Sequence, residues 1–347
     1  MDLSKLGKSE AELKLLVNEE VNNLKKVIKD KDDVLENYKK EHGVLESFFR
    51  DVKEHISPIV PETMLYKPKK TKVESPCSVV MQISDTHMGE IQVASEIENF
   101  NEFNPEICRS RCLDFSKKVI DWTYVHRSGY NIDECVVLVL GDLVAGTIHD
   151  ELLNTSAYPA PVQAVESGIL LSDQIALLAP HFPKVKVQFI IEDNHSRMVR
   201  KPQSKEAGLN SLNYVVGFIA KERLTKFSNI EFNLYPQLEA VVEVKGRRYL
   251  ITHGHCIKSV MGIPHYGLER KVGKEAVKRM NAPDVNKFHR IILGHFHTPM
   301  TTQYYWVGGS VSGTTSYDHG AGRHADPSQS SWLVNHHGEF NRVDWTL

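Results

Sequence analysis

The chain has 347 residues, 41% apolar and 25% charged, with 21 Gly and 15 Pro, which excludes collagen, low-complexity disorder and a disulfide scaffold. Lys and Arg total 42 against 44 Asp and Glu, a net charge of −2, so no overall basic character points to nucleic acid. There is no apolar run of about 18 residues and no apolar stretch of a signal-peptide kind in MDLSKLGKSEAELK, so no membrane association is expected; five Cys fit reduced, mostly buried thiols in the cytoplasm.

Residues 1–56 read as one long helix. Apolar residues recur at alternating spacings of four and three: Val17, Val21, Leu24, Ile28, then Leu35, Tyr38, Leu45, Phe49, Val52 and Ile56. Lys31 and His42 break the stripe, and Gly43 marks a weak point where a bend or turn could fall. Such a stripe suits a coiled coil or helical hairpin that forms a homo-oligomer, packs on its own domain or binds another protein. Residues 57–76 contain four Pro and the run KPKKTK and read as an extended linker. Residues 77–347 show a different pattern and read as a separate domain.

In that part short apolar strands alternate with helices, an α/β signature with a mixed sheet. Expected strands are Val79–Ile83, Cys135–Leu140, Val185–Ile191, Ala240–Val244, Tyr249–Thr252, Arg290–Leu293, Tyr304–Val307, Ser331–Asn335 and Phe340–Asp344. Expected helices lie near 105–126, 160–179 and 206–226.

Of 17 His, 15 follow residue 80, and histidine is the commonest metal ligand. Five expected strands each run into a potential ligand. MQIS leads to Asp85-Thr86-His87, VVLVL to Gly141-Asp142, VQFII to Asn194-His195, RYLIT to His253-Gly254-His255, and RIIL to Gly294-His295-Phe296-His297. Open α/β sheets place their sites beyond the carboxyl ends of strands, so the five clusters are expected to meet in one cleft.

This combination resembles the calcineurin-like metallophosphoesterase superfamily over residues 77–347. The wording SDTHMG is closest to the DNA repair nuclease branch. The NH-x-R third motif and the late GGSVSG and PSQ are similar to phosphoesterases encoded by bacteriophages. The resemblance implies a four-layered α/β/β/α sandwich around two divalent metal ions, with Mn2+ the first expectation and Fe or Zn2+ the alternatives. It implies one ion held by Asp85, His87, Asp142 and His297. The other would be held by Asp142, Asn194, His253 and His295, with Asp142 bridging. A bridging carboxylate is what two closely spaced cations require, and mixed imidazole, carboxylate and amide donors suit transition metals better than Mg2+ or Ca2+. His195 matches a catalytic histidine that is not a ligand, protonating the leaving oxygen or stabilising charge on the phosphoryl group.

His255 is expected behind the ligands, and His149 is placed either at the cleft or on a surface loop. The pattern has Gly before Asn-His, whereas this chain has Asp193, a residue that tolerates positive φ less well than Gly. Arg197, Arg200 and Lys201 are candidate phosphate contacts or a solvated loop. Cys108 and Cys112 read as core thiols. The expected reaction is phosphodiester hydrolysis in DNA or RNA, or in a cyclic nucleotide, dinucleotide or small phosphomonoester. A scaffold with a dead site is disfavoured because every ligand position holds a competent residue.

Overall fold

The computed structural model describes residues 10–61, 76–199, 201–203, 205–260 and 263–347. It divides into two compact units, Met1–Ile56 and Ser57–Leu347. In the first, Glu10–His55 is helical (α1) and includes Gly43. Of the expected linker, Ile59 donates its N–H to Arg223 O (2.9 Å) and packs on the core of the second unit; residues 62–75, with KPKKTK, lie outside the described residues.

The second unit begins with β1 (Pro76–Ile83), α2 (Pro105–His126), β2 (Asn131–Val139), α3 (Asp150–Thr155), α4 (Ala160–Leu178) and β3 (Lys184–Ile190). It continues through α5 (Leu212–Arg223), β4 (Ile230–Tyr235), β5 (Glu239–Val244), β6 (Arg247–Thr252) and α6 (His265–Lys278). It ends with β7 (Arg290–Leu293), β8 (Met300–Thr301), β9 (Tyr305–Val307), α7 (Ser316–Gly320), β10 (Ser328–Asn335) and β11 (Gly338–Thr346).

Among the described residues, eleven strands form two mixed sheets. The first runs β11-β10-β1-β2-β3-β4, with β1 to β4 mutually parallel, β10 antiparallel to β1, and β11 antiparallel to β10. The second runs β5-β6-β7-β9-β8, with β6, β7 and β9 parallel. Strand alternation stacks them. Val80, Val136, Leu138 and Ile190 of the first sheet share a core with Val242, Tyr249, Ile251, Ile292 and Trp306 of the second. The opposite faces, Val79, Met81, Val137 and Val187 in one sheet and Leu250, Ile291 and Leu293 in the other, are covered by helices. Phe115, Leu171, Ile175 and Val216 of α2, α4 and α5 cover the first, and Leu268 of α6 the second. Period-two strands buried on both faces therefore build an α/β/β/α layering.

Several boundaries have local causes. Asn104 caps α2 by accepting the Ile107 N–H (2.9 Å), with Pro105 in the first turn. The helix expected over 206–226 begins only at Leu212, where Ser211 accepts the Asn213 N–H at 3.1 Å. The stretch Ala160–His181 is long and apolar enough to cross a membrane by length and composition. Here it is a core helix, with Leu171, Ile175 and Leu178 buried. Four Cys are buried as free thiols and Cys256 is exposed.

Candidate metal centre

The parallel strands bring the predicted residues together. Asp85, Asp142 and Asn194 follow β1, β2 and β3, which are neighbours in the first sheet. His253 and His295 follow β6 and β7, neighbours in the second. Because the sheets are stacked, both rows of strand ends open on one spot. Three groups of donor atoms, each within 4.8 Å of one another, result: Asp85, His87 and His297; His87, Asp142 and His195; Asp142, His253 and His295.

The distances show how tightly these groups interlock. His87 Nε2 and His297 Nε2 are 3.1 Å apart, and His297 Nε2 is 3.7 Å from Asp85 Oδ1. His253 Nε2 is 3.0 Å from both Asp142 Oδ2 and Asn194 Oδ1. His253 Nδ1 lies 2.8 Å from Leu140 O, an acceptor only, so Nδ1 carries a proton and Nε2 is the nitrogen aimed inward. His195 is held likewise: Nδ1 donates to Ala145 O at 2.7 Å, its backbone N–H donates to Asp142 Oδ1 at 3.1 Å, and Nε2 is 4.0 Å from Asp142 Oδ2. The His149 ring, N-cap of α3, is 5.5 Å from that of His195, so this loop histidine reaches the cleft.

Backbone geometry sets these positions. Asp85, His87, Asp142, His295 and His297 have φ of 53°, 46°, 48°, 70° and 58°, in the left-handed region that residues other than Gly seldom adopt. Five such residues at one site are held by surrounding bonds. Asp85 N–H donates to Gly141 O (3.0 Å), His87 N–H to Asp142 O (3.1 Å), and His295 N–H to Asp85 Oδ1 (2.9 Å). Gly294 lets that last pair form, because a Cβ there would stand 2.3 Å from Asp85 Oδ2. Gly146 at φ +71° is likewise required, since its Cβ would fall 1.9 Å from His195 O.

Charge is balanced within the cluster. Burial alone would raise the Asp142 carboxyl, but His253 and His195 hold it well below the usual range. Burial opposes protonation of His253 and His297, yet Asp142 lifts the first to about 10, and the hydrogen bond from His297 to Asp318, helped by the Asp85 charge, lifts the second to about 9. Burial, then neighbouring histidines, drive His87 and His295 well below the ordinary value and therefore neutral. Buried carboxylates that draw protons onto two imidazoles, beside two imidazoles already neutral, form a donor set suited to divalent cations.

Two supporting carboxylates emerge only in three dimensions. Asp318 is buried, with Oδ2 3.4 Å from His297 Nδ1, and no motif announced it. Asp193 does not occupy the left-handed region, so the expected φ problem does not arise. Its carboxylate instead accepts the N–H groups of Asp142 (2.6 Å) and Ser196 (2.8 Å) and the Asn213 amide. Burial, then the Asp142 charge, raises it to about 6. Gln329 of the PSQ run accepts the Ser84 N–H (3.0 Å) and donates to Ser84 O (2.9 Å) and Gly309 O (2.8 Å), tying β1 to the Gly-rich run. Val311 of that run donates to Asp85 O at 3.0 Å.

The His255 ring stacks 5.8 Å from that of His253, and burial, then His253, lowers its pKa to about 4. Arg197 and His255 line a cavity of about 20 Å³ with Glu192, Asp193 and Asn210, room for one water rather than a phosphate. Arg200 lies outside the described residues, and Lys201 is exposed. His336 and His337 sit in the β10–β11 turn, beside the start of β1 and thus opposite the site.

No protein-family model matches this chain. No curated protein matches it either. Among solved structures, an archaeal phosphodiesterase is 10% identical with a TM-score of 0.35, covering 77% of this chain and 99% of that one. Vps29 of Entamoeba histolytica, complexed with zinc, is 13% identical with a TM-score of 0.29, covering 77% and 98%. The phosphopantetheinyl hydrolase PptH of Mycobacterium tuberculosis is 14% identical with a TM-score of 0.25, covering 68% and 90%. Likenesses this distant carry no argument about activity, which rests on the residues of the site.

Proposed function

We propose that this chain is a metal-dependent phosphoesterase that hydrolyses phosphodiester bonds, with DNA or RNA as the first substrate class. The observation that carries the reading is the position of Asp142, whose carboxylate belongs to two donor groups, one with His87 and His195 and one with His253 and His295. Asp85, His87, Asp142 and His297 would hold one cation, and Asp142, Asn194, His253 and His295 the other, with Mn2+ the first choice and Fe or Zn2+ the alternatives. When bound, such a pair supplies Lewis acidity, activating water near neutral pH and neutralising charge on phosphoryl oxygens.

The chain's own residues do the rest. The Leu140 carbonyl fixes the ring of His253, and Asp318 that of His297. Ala145 O fixes the proton of His195 on Nδ1, which leaves Nε2 facing the cleft to carry a second proton toward a leaving oxygen. His149, beside it, would meet the substrate at the rim.

The nuclease reading is supported by the SDTHMG motif. The runner-up is the same chemistry on a cyclic nucleotide, dinucleotide or phosphomonoester. An assay of the Mn2+-loaded protein on bis-p-nitrophenyl phosphate, p-nitrophenyl phosphate, cyclic nucleotides and single- and double-stranded DNA separates them. Diester turnover abolished in Asp142→Ala is expected; identical behaviour of wild type and Asp142→Ala on every substrate would reject the enzyme. Fast cyclic-nucleotide turnover without DNA cleavage would establish the runner-up. The apolar stripe over residues 1–56 supports self-association, tested by a fall in solution mass to monomer on deleting that segment.

A further inference from the structure

The peptide group between Ala145 and Gly146 is bonded on both sides. Its carbonyl, Ala145 O, accepts the Nδ1–H of His195 at 2.7 Å. Its amide, the Gly146 N–H, donates to Gln163 Oε1 at 2.8 Å. A trans peptide points these two groups in opposite directions, so Gln163 and His195 stand at the two ends of one hydrogen-bonded chain. Bonds in such a chain polarise one another, and an acceptor on the Gly146 N–H strengthens Ala145 O as the acceptor for His195. The peptide is held in place as well. The Ala145 N–H donates to Met88 O at 3.0 Å, and a Cβ on Gly146 would fall 1.9 Å from His195 O.

Gln163 makes a second bond. It lies near the start of α4, 1% exposed, and its Nε2 donates to Tyr158 O at 2.8 Å. One side chain thus fastens both ends of the segment 146–158, which carries α3 and His149, whose ring is 5.5 Å from that of His195. Gly89 gives that side chain its path, since a Cβ there would stand 2.7 Å from Gln163 Cγ. The Gly89 carbonyl also takes the Ala157 N–H at 2.8 Å.

We propose that Gln163 is a positioning residue for His195, acting through the peptide between Ala145 and Gly146, and that the same side chain sets the rim segment 146–158. This rests on the phosphodiesterase reading, in which His195 delivers a proton to the leaving oxygen. As the P–O bond breaks, the leaving oxygen takes the bonding pair and the Nε2 proton, and the neutral ring still donates its Nδ1–H to Ala145 O. Holding that second proton on Nδ1 is what keeps Nε2 turned to the cleft. The dependence on Gln163 therefore grows with the basicity of the leaving group. A p-nitrophenolate departs without a proton, whereas a phenolate or alkoxide needs one.

The test uses the full chain and has one readout that needs no turnover. In EDTA at alkaline pH, nitrogen NMR of ring-labelled protein, with the His195 signals assigned from His195→Gln, reports which ring nitrogen carries the proton. Wild type is expected to hold it on Nδ1, and Gln163→Met to show the Nε2 form as well. With Mn2+ bound, Gln163→Met should lose about 10- to 100-fold in kcat on diphenyl phosphate and only about threefold on bis-p-nitrophenyl phosphate. Gln163→Asn, too short to reach Gly146, should behave as Gln163→Met, and Gln163→Glu, which keeps an acceptor there, should restore both readouts. Gln174→Met removes an equally buried bond of α4, to Cys112 O at 2.9 Å, and should lower Tm while moving neither readout. A wild-type tautomer in Gln163→Met, or equal losses on the two esters, would overturn the proposal and leave Gln163 a purely structural residue. The same tautomer change in Gln174→Met would overturn it too. A tautomer change in Gln163→Met without hydrolysis of any diester by wild type would remove the phosphodiesterase reading and leave the positioning of His195 standing. Hydrolysis by wild type with the tautomer unmoved in Gln163→Met would do the reverse.

Discussion

Asp193 Oδ2 accepts the backbone N–H of Asp142 at 2.6 Å, so the residue that departs from the Gly-Asn-His pattern holds the carboxylate shared by the two donor groups. The same side chain takes the Ser196 N–H and hydroxyl and the Asn213 amide. Asp193→Ala would leave buried donors unmet, at about 1–3 kcal/mol for each group. The expected outcome is a lower Tm in EDTA and a cation affinity reduced roughly 10- to 100-fold. An unchanged Tm, measured by calorimetry, would show that water replaces the carboxylate at no cost.

Asp318 should act on metal binding more than on folding. Asp318→Asn keeps an oxygen for Thr315 but withdraws the charge that faces His297 and Arg323. Mn2+ affinity, read by competition with a chelator, is expected to fall about 10- to 100-fold. The ring of His297 would then lose the partner that raises its pKa to about 9. Affinity equal to wild type would mean that packing alone orients the ring.

The cation-free protein should be most stable near pH 6.5. His255 has an ordinary value of 6.5 and about 4 when folded, so its contribution is present above 6.5 and lost as pH falls toward 4. His87 and His295 act in the same direction. His253 and His297 act oppositely: raised to about 10 and 9, they stabilise fully below 6.5 and lose this as pH rises through those values. Thermal melts in EDTA from pH 4.5 to 9.5 should trace a dome, and saturating Mn2+, which displaces the two raised protons, should lift its alkaline side. His255→Gln should flatten the acid limb. A melt that rises steadily to pH 9.5 without metal contradicts the assignment.

Gly294 offers a steric test. Its backbone is unremarkable, but a Cβ would stand 2.3 Å from Asp85 Oδ2, whereas one at Gly320 meets nothing within 4 Å. Gly294→Ala should therefore cut Mn2+ affinity at least tenfold, with Gly320→Ala indistinguishable from wild type. Equal affinity in both variants would mean that Asp85 shifts freely, against its bonds to the His295 N–H.

What the sequence disclosed followed from position along the strands. Asp85, Asp142, Asn194, His253 and His295 could be placed because each directly follows an apolar strand, and parallel pairing brings such ends together. The range 105–126 was legible because Asn104-Pro105 is a cap and first turn. β4 escaped because Ile230, Phe232 and Leu234 alternate with Glu231, Asn233 and Tyr235 at a sheet edge, giving no continuous apolar run. α6 escaped because little of it is apolar core; Leu268 is buried, while Lys271 and Arg279 are held by ion pairs to Glu239 and Glu275. Asp318 meets His297 across 21 residues of chain, a contact that only the folded Gly-rich segment creates.

The most direct test of the central claim is the cation stoichiometry of Mn2+-loaded protein, measured by isothermal titration and by elemental analysis after gel filtration. The two overlapping donor groups at Asp142 predict about two ions per chain in wild type and no more than one in Asp142→Ala, with the EDTA melting curve of that variant confirming that it folds. A single ion or none in wild type, or two retained in Asp142→Ala, would contradict it.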